Sequence, residues 1–266
     1  VAAASSATAN LSQLQALAQK SGAAADQQLA GEIDRIVRTT RITKSDQDPG
    51  DTQKFFNATG ISARKPATVR TEMDLENEIN AGNQSLDYQY YIFHGDRATS
   101  SAQGRQYAEQ LHGKSDQYIP SGRLGDGIYF STSPSGSASY MDRTNYGRQT
   151  KAILNHNARV ISDSALSRKI SGFKRSHPKA YARIMAMTGS KNNSWGADAK
   201  KSVFATLFGY NVVTDGSGRK VQDHYLAVFD RSALTVVTGE TLRRGDVRSR
   251  SNAGQSAWRF QNHNED

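Results

Sequence analysis

Two short segments, about thirty residues apart, constrain this chain more than any other part of it. The first is Tyr91-Ile92-Phe93-His94-Gly95-Asp96-Arg97, which closes an aromatic run that starts at Tyr88. Such a run reads as a buried strand, and the glycine after it marks a turn. A glycine directly behind His94 lets the backbone approach a flat ligand, because no Cβ stands in the way. The Gly95 N–H and C=O offer such a ligand one donor and one acceptor, and the His94 ring is expected to add a further donor. The second segment runs from Gly125 to Tyr140. Gly125-Asp126-Gly127 signals a turn, Ile128-Tyr129-Phe130 a short apolar strand, and the small residues from Ser135 to Tyr140 suit the start of a helix. The pattern of short strands and intervening helices from about Pro66 to Val237 predicts an α+β domain.

In order and spacing, the two segments resemble the first two parts of the His–Tyr–Glu signature of ADP-ribosyltransferases. The branch they resemble is that of poly(ADP-ribose) polymerases and diphtheria-toxin-like enzymes. The resemblance implies a split mixed β-sandwich fold, with NAD as substrate in the cleft between the sheets. It gives His94 and Gly95 the ribose and carboxamide of the nicotinamide half. Tyr129 and Tyr140 would clamp the ring, and Ser137 would bond the carboxamide. Stacking a cationic ring between two aromatic faces contributes on the order of 1–2 kcal/mol per face. Ser131-Thr132-Ser133 also resembles the middle motif of the Arg–Ser–Glu branch, which adds Ser131 and Arg97 to the NAD-binding candidates. The segment between Gly95 and Gly125 becomes the loop around the adenosine half, where Arg105, His112, Lys114 or Arg123 would meet the pyrophosphate.

The third element of the signature is missing. The matching strand is Tyr225-Leu226-Ala227-Val228-Phe229, and no glutamate occurs from Ser202 to Gly239. An ungapped match places Tyr225 at the glutamate position; one or two inserted residues place His224 or Asp223 there. Asp223 would supply a charge, His224 or Gln222 only a hydrogen bond. The resemblance therefore implies transfer of a single ADP-ribose unit rather than polymer synthesis. An NAD glycohydrolase with the same site, or an inactive transferase fold that binds nucleic acid, are the alternative expectations.

Composition narrows the partners. The formal net charge is +9, and residues 143 to 201 hold thirteen Lys or Arg against two Asp. Such a stretch suits a phosphate backbone or an acidic protein surface. Along the sequence, however, stacking aromatics are not interleaved with these cations as in single-strand binders. Cysteine is absent, which excludes disulfides, thiolate nucleophiles and thiolate metal sites. The histidines show no metal-ligand spacing, and no apolar run has transmembrane length. The start at Val1 leads us to expect a processed precursor or a piece of a larger polypeptide. With the resemblance, these features imply a bacterial or phage-delivered toxin or effector, secreted or injected into the cytoplasm of a target cell. Its acceptor would be RNA, DNA or a host protein, with an immunity or delivery protein as a further partner.

Three regions are expected. Residues 1–65 form a helical N-terminal extension and linker, with apolar stripes at Leu11, Leu14, Leu17 and Ala18 and at Leu29, Ile33, Ile36 and Val37. Residues 66–240 form the catalytic domain, with a short helix from Thr71 to Ile79. Residues 241–266 are a basic tail of disorder-prone composition.

Overall fold

The computed structural model describes residues 2–40, 50–84, 91–98, 100–112, 122–139, 141, 146–188, 198–216, 224–239 and 242–243. Tyr140, Gln222, Asp223, Lys114 and nearly all of the expected tail lie outside them. The chain is a mixed α+β protein.

Three helices come first: α1 (Ala2–Gln19), α2 (Ala23–Thr39) and α3 (Gly50–Ala58). The stripe that predicts α2 is buried in full, with Leu29 and Ile33 at 0% exposure. It packs with Phe55 and Phe56 of α3 into a cluster shared with α7 (Asp163–Ser176), α8 (Pro178–Thr188) and α9 (Lys200–Leu207). One side-chain cap ties the two groups together. The Asp26 carboxylate of α2 accepts from the backbone N–H groups of Lys179 and Ala180 at 3.0 and 2.8 Å, so it caps the start of α8.

Eight strands hydrogen-bond in one series. In chain order they are β1 (Ala67–Val69), β2 (Tyr91–Gly95), β3 (Ile128–Ser131), β4 (Arg148–Leu154), β5 (Val160–Ser162), β6 (Val212–Thr214), β7 (Tyr225–Val228) and β8 (Leu234–Val237). Their spatial order is β1-β8-β4-β2-β3-β7-β6-β5, and a short β9 (Leu242–Arg243) pairs with β4. The β1–β8 and β5–β6 pairs are parallel and the others antiparallel. The series is weakest at its middle. β2 shares five register pairs with β4 and β3 shares four with β7, but β2 and β3 share only Phe93↔Ser131.

Alternation along the strands sorts their side chains. Ala227, Phe229 and Val213 face the helical cluster. A second cluster is built almost wholly from strands: Ile92, Ala152, Leu154 and Val236 from one half of the series meet Phe130, Val212, Leu226 and Val228 from the other. The remaining helices line the first half and the strand junction. The first, α4 (Glu72–Asn80), starts at a reciprocal cap in which Thr71 and Asp74 bond each other's backbone, and it covers Ile153 and Val237 with Leu75. Between β2 and β3 runs α5 (Ser101–Leu111), and α6 (Pro134–Ala138) follows β3 directly. No helix among the described residues is long and apolar enough to cross a membrane.

Candidate functional site

An uninterrupted antiparallel ladder through Phe93↔Ser131 would next pair Gly95 with Tyr129. That pair does not form, and a side chain takes its place. The His94 Nδ1 lies 2.8 Å from the Tyr129 carbonyl oxygen. A carbonyl only accepts, so Nδ1 carries the proton and Nε2 is left as an acceptor. Burial disfavours the imidazolium and lowers the His94 pKa from 6.5, while the Tyr129 carbonyl and the charge of Asp96 pull the other way. Burial thus favours the neutral ring, which offers Nε2 as an acceptor.

The hydrogen-bond parity of β2 follows from its end. Asp96 N–H donates to the Arg148 carbonyl at 3.0 Å, so Ile92, His94 and Asp96 turn their amides toward β4. Gly95 therefore turns its N–H and C=O toward β3, where the ladder has stopped. A Cβ on Gly95 would stand 2.2 Å from the Ser137 carbonyl oxygen. The glycine is required first by its own chain, because α6 sits directly on it.

Why α6 sits there is local. Ser133 accepts from Gly136 N–H at 3.0 Å as N-cap, and Pro134 occupies the first helical turn. Ser131 accepts from Ser133 N–H at 3.1 Å, and a Cβ on Gly136 would lie 2.3 Å from its hydroxyl. Ser131 thus shapes the turn that delivers the helix. Ser137 is buried; its hydroxyl donates to the Pro134 carbonyl at 2.9 Å and accepts from the Gln149 amide. Gln149 also donates to Pro134 at 2.9 Å, so that carbonyl keeps a donor if Ser137 turns its proton to a ligand. The Gln149 Oε1 is buried without a hydrogen-bond partner among the described residues.

Tyr129 is half-buried, and its phenol is fixed by the 122–125 turn. It donates to the Gly125 carbonyl and accepts from Leu124 N–H, both at 2.9 Å. A Cβ on Gly122 would come within 2.5 Å of the phenol, so that glycine makes room for the ring. Register places Tyr225 across from Ser131, on the face shared by Ser131 and Tyr129. His224 is one residue away, and its ring lies against the other strand end, with Nδ1 3.8 Å from the Asp215 carboxylate. Its N–H donates to Thr132 at 2.9 Å. Arg97 and Arg105 are exposed, and Arg123 pairs with Asp215 at 3.0 Å.

Two residues of this region escape a sequence reading. Gln149 lies in a strand of polar residues with nothing to mark it as buried. Asp96 follows the glycine and falls on the same alternation as His94. Its Oδ1 accepts from Ala98 N–H at 3.2 Å and Arg148 N–H at 3.1 Å. Burial raises the Asp96 carboxyl above its ordinary pKa; those two bonds, His94 and Arg148 oppose the rise.

The fold also rearranges the basic stretch. Arg168, Lys169, Lys174 and Arg175 of α7 are exposed, and none has a carboxylate partner among the described residues. Arg159 and Lys169 stand 5.4 and 6.0 Å from the Tyr210 ring, and Lys174 stands 5.5 Å from Tyr181. Aromatic rings separated from the cations in sequence are therefore interleaved with them in space. No group of three or more His, Asp or Glu among the described residues is placed to hold a metal ion. No family model, curated protein or solved structure matches the chain.

Proposed function

We propose that this protein is a mono-ADP-ribosyltransferase that uses NAD as donor, of the poly(ADP-ribose) polymerase and diphtheria-toxin-like branch. The observation that carries the reading is the end of the β2–β3 ladder, where Gly95 turns its N–H and C=O toward β3 without a strand partner. That donor and acceptor match the two ends of the nicotinamide carboxamide, and the Ser137 backbone packs directly on Gly95. The strand-built cluster joining both halves of the series supports a split mixed β-sandwich.

In this reading the nicotinamide ring lies against Tyr129, whose phenol is held still by two hydrogen bonds. The resemblance gives the other face to Tyr140, which lies outside the described residues. His94 accepts from a hydroxyl of the nicotinamide ribose through Nε2. The C1′–N bond breaks and nicotinamide leaves as a neutral molecule with the bonding pair. A nucleophile then attacks C1′ from the opposite side, and its proton passes to solvent. Without a glutamate on β7, elongation of the product is not expected.

The acceptor is a nucleic acid in this account, because α7 offers unpaired cations beside aromatic rings. Incubation of the full chain with NAD labelled in the adenosine half and a cell lysate tests both parts. We expect macromolecular label that RNase or DNase removes. Label removed by protease instead would move the acceptor to protein, and free ADP-ribose alone would make the protein a glycohydrolase.

A further inference from the structure

The transferase reading leaves the site without the carboxylate that the β7 strand fails to supply. We infer that Asp96 supplies it from just past the end of β2, and that Asp96 and His94 together grip the vicinal hydroxyls of the nicotinamide ribose. This inference rests on the transferase reading above.

Three observations lead to it. First, Asp96 stands one residue past β2 and two from His94, with its N–H bonded to the Arg148 carbonyl. Its charge is the one that acts on the His94 ring. Second, only one of its oxygens is engaged. Oδ1 takes both backbone N–H groups, from Ala98 and Arg148, which fixes the carboxylate plane; Oδ2 has no partner among the described residues. Other described carboxylates near the strand ends are committed: Asp215 to Arg123 and to Tyr225 N–H, Asp230 to Arg64, and Glu72 to Lys151. Third, the two free atoms are both acceptors, since Nδ1 holds the imidazole proton. Residues two apart on a strand are spaced by about 7 Å. Two hydroxyls of one sugar ring, each donating one hydrogen bond, span a gap of that size.

The chemistry follows from the charge. As the C1′–N bond of NAD lengthens, its electron pair leaves with nicotinamide and positive charge builds on C1′ and the ring oxygen. A fixed carboxylate on the ribose hydroxyls stabilises that charge more than it stabilises the ground state. Partial burial strengthens the interaction by excluding water. The raised carboxyl pKa is the counterpart of that burial.

The test compares the full chain with Asp96→Asn on NAD and on NAD analogues lacking the 2′- or the 3′-hydroxyl of the nicotinamide ribose. Nicotinamide release is measured, and NAD affinity is followed separately by equilibrium dialysis. We expect Asp96→Asn to slow release from NAD about 100-fold with affinity little changed. We also expect one deoxy analogue to be hardly affected by the substitution, because the contact is already gone. Asp96→Glu should recover part of the rate. Equal slowing of all three substrates, or a wild-type rate in Asp96→Asn, would overturn the inference and leave the transferase reading standing. No release from NAD by the unsubstituted chain would overturn both.

Discussion

His94 keeps its proton on Nδ1 because the Tyr129 carbonyl has lost its strand partner and needs a donor. Replacing it by alanine leaves that carbonyl unsatisfied, at a cost of about 1–3 kcal/mol beyond lost packing. Urea unfolding at neutral pH checks this, and His94→Gln, which can still donate, should recover part of the loss. The same burial sets a pH dependence. The folded pKa lies below the unfolded 6.5, so the stability tied to the neutral ring is fully present above pH 6.5 and is lost as pH falls toward the folded value. Subtracting the His94→Gln curve should isolate that limb; identical curves for the two proteins would contradict it. Gly95→Ala is argued from space alone. Its Cβ would stand 2.2 Å from the Ser137 carbonyl, so α6 must move off the strand, and NAD turnover should be lost while the helical half keeps its unfolding transition.

At the scale of elements, α6 is the fragile part. Five residues cannot hold a helix unaided, so its position depends on the Ser133 cap, on Ser131 and on Gln149. Ser133→Ala should cost about 1 kcal/mol and slow NAD turnover more than it lowers stability, because Ser137 loses its place. The matching change at the α4 cap, Thr71→Ala, should cost a similar amount and leave turnover alone. Elements of this kind were unequally legible. The buried stripe of α2 repeats every three to four residues and predicts its helix outright. The Thr71 start and the β7 strand were legible for the same local reasons. Sheet order was not, because strands of three to seven residues choose partners through contacts far away in sequence. Nothing in the sequence marks Gln149 and Lys151 as buried, yet α6 covers one, while Glu72 and the Tyr91 ring take the charge of the other at 3.2 and 3.5 Å. The failed Gly95↔Tyr129 pair has no sequence signal at all, since either residue tolerates a ladder.

For the whole molecule, the first helices belong to the same core as α7 to α9. Leu14, Leu29, Ile33 and Ile36 are at most 1% exposed, and burying each contributes about 1.5–3 kcal/mol. Their sum is comparable to the net stability of an ordinary domain, about 5–15 kcal/mol. A chain lacking residues 1–40 should therefore fail to fold, which circular dichroism of the truncated protein would decide. In the same helical cluster, α7 carries exposed cations. Arg168→Gln with Arg175→Gln should reduce the salt slope of single-strand binding by about 1 to 2 and leave nicotinamide release unchanged. The most direct measurement is the release of nicotinamide from ring-labelled NAD by the full chain, beside a folded His94→Ala variant. The former should release nicotinamide, and the latter should do so at a rate at least about 100-fold lower. No release by the full chain, or equal release by both, would contradict it.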